Sequence, residues 1–152
     1  MDKVLKEEIR KIQTEIHDLN CYINNGGCIC FVRIMAEQLY YRNIKYSVVI
    51  HSDDYEYDDI KKCFKNKNFK IDGVFHVLLK VEDEYFDGLS FERKRANQRC
   101  IGLIHPADLK LWETSKGAWN PCYLRKKYNP IITKIVEKHL KNYDKIKNRS
   151  RY

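Results

Sequence analysis

A chain of 152 residues with 43% hydrophobic and 33% charged side chains has the length of one domain and enough apolar surface for a core, which excludes an intrinsically disordered chain. No apolar run approaches the roughly 18–20 residues of a membrane-spanning helix, and the mixed-charge start from Met1 to Glu8 is unlike a signal peptide. The net charge of +8 sits at one end: residues 125–152 hold 10 Lys/Arg against 2 acids (10 − 2 = +8), and residues 1–124 are neutral with 19 of each.

These bounds imply a cytoplasmic protein, with no membrane partner, whose six cysteines are reduced and form no disulfide framework. The basic end, from about residue 125, reads as a solvated helix face or tail; its other reading is contact with nucleic acid or another anionic partner. No nucleic-acid-binding signature and no glycine-rich phosphate loop is present.

In chain order, Leu5, Ile9, Ile12, Ile16 and Leu19 recur at spacings of four and three, one face of an amphipathic helix over 3–19. His17 belongs to its surface. Asn24 to Gly27 is a loop, because Asn-Gly and Gly-Gly tolerate positive φ. A second helix runs from about Cys28 to Tyr41, with Phe31, Met35 and Leu39 as its core stripe, and Asn43 closes it. Ile44 to Ile50 reads as a strand rich in β-branched residues. His51 to Asp59 is a polar loop leading into a short helix near 58–66; it lacks the central glycine of a calcium loop. Val74 to Val81 and Glu84 to Asp87 form a β-hairpin, residues 100–104 another strand, and Pro106 to Trp112 a short helix. Residues 117–129 read as irregular, and the last helix starts near Pro130.

Two glycines hand over to Cys28, which opens an apolar helix. The N-terminus of a helix offers unpaired N–H groups and partial positive charge, which favour thiolate over thiol. Such a nucleophile needs a base and a group to orient it. A hairpin loop at 81–82 puts His76 opposite Asp87, and a loop at 82–83 makes them diagonal neighbours. Either even loop keeps both on one face of the sheet. Separately, His76 reads as a half-buried strand histidine, Asp87 as a turn residue and Cys28 as a small buried hydrophobe. Together, in the order Cys, His, Asp, they read as a nucleophile, its general base and the base's orienting carboxylate. Cys30 is the rival nucleophile, but it lies about 200° around the helix from Cys28 and packs inward. A zinc site from His17, Cys21, Cys28 and Cys30 matches no usual paired-cysteine spacing, so no metal and no cofactor is expected.

Asn24-x-Gly-Gly-Cys-x-x-Phe before a helix and strand, then His76-Val-x-Leu-Lys-Val-x-x-x-Tyr-x-Asp-Gly, resembles the papain-like and transglutaminase-like cysteine superfamily. The likeness is to the small single-domain members found in phage and bacterial genomes. It covers residues 20–90 well and the rest loosely. It implies an α+β fold, one papain-like domain over 1–152, in which the cysteine helix packs on a small antiparallel sheet bearing His76 and Asp87. It implies a hydrolase or acyltransferase acting on an amide, peptide or isopeptide bond of a protein or peptide substrate, through a thioester. The Cys28 N–H would be one oxyanion donor. No glutamine stands upstream, so Asn24 is the side-chain candidate, with Gly27 and Trp119 as cleft candidates. Trp112 is the other aromatic candidate for a cleft wall, and each tryptophan reads at least as readily as core. Two other classes stay open: a catalytically silent binding protein on the same fold, and a nucleic-acid-associated protein working through the basic end.

Overall fold

The computed structural model describes residues 1–19, 28–52, 57–69, 74–115 and 122–149, with side chains at all of these except 28, 57, 58, 75 and 122–124. The first helix, α1 (Lys3–Leu19), buries Leu5, Ile9, Ile12 and Ile16, as the periodicity requires. Asp2 caps it: Oδ1 accepts from the Val4 N–H at 2.8 Å and the Leu5 N–H at 3.3 Å. His17 is on the surface, its side chain 79% exposed. The second helix, α2 (Cys28–Tyr41), buries Phe31, Val32, Met35, Ala36 and Leu39. It ends where Asn43 takes a left-handed φ of 57° and the Ile44 N–H turns back to the Leu39 carbonyl at 3.0 Å.

That cap delays the first strand. β1 spans Ser47–Ser52 rather than residues 44–50, because Ile44 serves the helix end and the Tyr46 hydroxyl donates to the Ile104 carbonyl at 2.7 Å. The strand therefore takes in His51, which the sequence assigns to a loop. There follow α3 (Tyr57–Lys65), β2 (Val74–Val81), β3 (Glu84–Phe86), β4 (Phe91–Glu92), β5 (Gln98–Gly102), α4 (Pro106–Glu113) and α5 (Cys122–Arg149). The fold is α+β: five described helices and a five-stranded antiparallel sheet in the order β4-β3-β2-β1-β5. Its second strand turns into its third at Glu82-Asp83, with Glu82 at a φ of 53° and Val81 opposite Glu84.

The two faces of the sheet differ. Val48, Ile50, Val77, Leu79, Val81 and Phe86 point into the hydrophobic core with α1, α2, α4 and α5. Phe31 of α2 meets Phe86 edge-on, ring centroids 6.3 Å apart. The alternate residues Val49, His51, His76, Leu78, Lys80, Tyr85 and Glu92 take the other face.

The last helix corrects the sequence reading. α5 begins at Cys122 and carries Pro130 inside it, although proline interrupts the helical hydrogen bonding. The turn before Pro130 is tied to the end of α4: Arg125 Nη1 donates to the Glu113 carbonyl at 3.0 Å and Asn129 Nδ2 to Glu113 Oε1 at 2.6 Å. Tertiary contact overrides the local stop signal. Among the described residues, no helix is long and apolar enough to cross a membrane.

Candidate functional site

β2 and β3 bring His76 and Asp87 together. The turn sets the diagonal register, with Leu79 opposite Phe86. His76 Nε2 lies 2.9 Å from Asp87 Oδ2. The carboxylate is aimed by its own loop: Oδ1 accepts from the Leu89 N–H at 2.8 Å and the Ser90 N–H at 2.9 Å. Gln13 of α1 donates to the Asp87 carbonyl at 3.0 Å, and the Asp87 N–H donates to the Ser90 carbonyl at 3.0 Å. Asp87 is 1% exposed. Burial alone would push its pKa up. The hydrogen bonds from His76, Glu92 and the two N–H groups outweigh it and hold the carboxyl well below the usual carboxylate range.

An ionised Asp87 accepts the Nε2 proton, so the basic nitrogen of the neutral ring is Nδ1. Any proton exchange with a thiol runs through Nδ1. The ring is walled by His51, directly opposite in β1, with centroids 5.4 Å apart.

Glu92 is a third acid-base group here, and the sequence pattern does not reveal it. It lies opposite Tyr85 on a two-residue strand, too short to leave a periodic signal. Its Oε1 is 3.6 Å from His76 Nε2. Its pKa is raised, first by burial and then by the adjacent Asp87. A half-buried carboxyl beside a buried carboxylate ionises less readily, so of the two it is Glu92 that holds a proton more tightly. His76, Asp87 and Glu92 also place ligand-type atoms within 4.8 Å of one another, the one described group that could hold a metal ion. A proton on Glu92 answers the same charge balance.

The other expected site residues are distributed as follows. Cys28 is the first residue of α2, as the glycine-to-helix pattern requires, but its side chain lies outside the described residues. So do Asn24, Gly27, Trp119 and Cys21. Cys30 is 2% exposed and faces inward. Trp112 is core and not a cleft wall: it is 3% exposed and packs edge-on against Phe64 at 5.3 Å. His51 could have been found by extending the predicted strand one residue past Ile50. Compared with known proteins, the chain matches no family model, no curated protein and no solved structure.

Proposed function

We propose that the chain is a cysteine-dependent acyl-transfer enzyme of the papain-like or transglutaminase-like kind. Cys28 is the nucleophile, His76 the general base and acid, and Asp87 the orienting carboxylate. The Cys28 sulfur attacks an amide carbonyl while its proton passes to His76 Nδ1. The tetrahedral adduct collapses to a thioester, and the leaving amine takes that proton. Water or a second amine then attacks the thioester, giving a hydrolysed or transferred acyl group. The Cys28 N–H and Asn24 are the candidate oxyanion donors.

The observation that carries this reading is the His76–Asp87 pair at 2.9 Å, with the carboxylate fixed by two backbone N–H groups. A merely structural histidine on an outer sheet face has no need of a pinned, buried anion. The reading also sets a geometric condition. α2 packs on the face of Val77 and Leu79, whereas His76 is on the other. The reading therefore requires the thiol to reach the ring from the opposite side of the sheet.

The test is the pH dependence of iodoacetamide labelling, with the modified peptide mapped to Cys28. An activated thiol labels within a few-fold of the same rate at pH 6 and pH 8. A thiol of pKa about 8.5 slows roughly a hundredfold over that interval. His76→Ala should abolish the pH 6 reactivity, and Asp87→Asn should reduce it. Equal pH 6 labelling in the wild type and His76→Ala refutes the assignment.

A further inference from the structure

We propose that the outer face of the sheet carries a second site, a cavity that binds a small phosphate-like dianion under the β4–β5 connection. The cavity, of about 360 Å³, is floored by Val49 and walled by Lys80, Tyr85, Lys94, Arg99 and Cys100. That is the volume of a small-molecule pocket, roughly 300–1,000 Å³, and not of a macromolecular groove.

Lys80, Lys94 and Arg99 all line this space, and none of its described lining residues is acidic. Several cations elsewhere in the fold have an acidic partner. Lys6 meets Glu84 at 2.7 Å, Arg33 meets Glu113 at 2.6 Å and Arg42 meets Asp144 at 2.9 Å. Among the described residues, Lys80, Lys94 and Arg99 form no ion pair. Like charges gathered without a counter-charge repel, and an anion between them removes the penalty. Three positive groups match a doubly charged phosphoryl group better than a single carboxylate.

The cavity is braced. Gln98, 5% exposed, accepts the Arg95 N–H on Oε1 at 2.9 Å and reaches the Arg93 carbonyl through Nε2 at 3.5 Å. Arg99 Nη1 donates to the Ala96 carbonyl at 2.7 Å and the Gln98 carbonyl at 3.0 Å, which holds the guanidinium in place. Lys80 Nζ stands 5.6 Å from the centre of the Tyr85 ring. A preformed site loses little entropy on binding. Neither His76 nor Asp87 is among the described residues that line the cavity. Lys80 is four residues along β2 from His76, about 13 Å at the rise of a strand. The proposal therefore stands or falls apart from the acyl-transfer reading.

Isothermal titration of the full chain with inorganic phosphate, O-phosphoserine and acetate at low ionic strength tests it. Phosphate or phosphoserine should bind with one-to-one stoichiometry and acetate at least tenfold more weakly. The stronger of the two phosphates identifies a free or an esterified ligand, and either order supports the site. Lys80→Gln and Lys94→Gln, neither of which touches the loop's hydrogen bonds, should each weaken binding about tenfold. Cys28→Ala and the α5 control Lys141→Gln/Lys145→Gln should leave it unchanged. No binding, acetate equal to phosphate, or equal losses in the α5 control would overturn the proposal.

Discussion

Asp87 and Glu92 are two carboxyls in one buried corner, and their environments send them in opposite directions. Asp87 receives N–H groups from three sides and is held as the anion. Glu92 has burial and a neighbouring anion against it, and its pKa rises. The raised value means that Glu92 favours the folded state while protonated. Its contribution is complete below the unfolded pKa of about 4.3 and is lost as pH rises through the folded value. Glu92→Gln mimics the protonated acid, keeping a donor for Asp87. Urea-unfolding midpoints of variant and wild type should agree near pH 4, and the variant should be the more stable at pH 8. A variant less stable at pH 8 would show that Glu92 works as an anion. The sequence foretold that His76 and Asp87 share a face, because an even two-residue turn fixes parity. It was silent on Glu92, whose position depends on how β4 pairs across the sheet.

At the scale of elements, one buried ion pair joins three helices. Arg33 of α2 donates to Glu113 of α4 at 2.6 Å, and Asn129 and Arg125 of α5 bind the same glutamate. The Glu113 side chain is 3% exposed and that of Arg33 14%. Arg33→Ala leaves a buried carboxylate short of its charge partner and should destabilise the protein by about 3–5 kcal/mol. Replacing the pair together, Arg33→Met with Glu113→Leu, should recover most of that loss in denaturant titration. This junction also explains the length of α5. Local rules place a helix start at Pro130, and the helix instead runs from Cys122 because its first turns are fastened to Glu113. Elements whose signals are local, such as α1 with its Asp2 cap and α2 with its Asn43 stop, agree with their sequence bounds.

Across the whole molecule, the acid side of the stability profile belongs to carboxylates held by the fold. Glu8 is 1% exposed and bridges α1 to α5, accepting from Asn142 Nδ2 at 2.9 Å and meeting His139 Nδ1 at 3.1 Å. Burial would raise its pKa, but the hydrogen bonds from Lys11, Asn142 and His139 outweigh that and lower it. With Asp87 also lowered, both groups contribute stability that is present above about pH 4 and is lost as pH falls through their folded values. Calorimetry should show Tm dropping steeply from pH 5 to pH 3. A Glu8→Gln/Asp87→Asn double variant should start lower at pH 7 and fall less over that window. A parallel decline in both proteins would place the acid sensitivity elsewhere.

By itself, the sequence determined what depends on neighbours along the chain: the α1 stripe, the helix that opens at Cys28, and the even turn that pairs His76 with Asp87; the α+β class came as what the family resemblance implies. Periodicity and turn parity are short-range properties, so they can be read without coordinates. Only the tertiary structure decided which distant groups share a space. It set Glu92 beside Asp87 and His51 against His76, ran α5 through Pro130, and brought Lys80, Lys94 and Arg99 to the lining of one cavity. Those outcomes arise from strand order and helix docking, which no local pattern encodes.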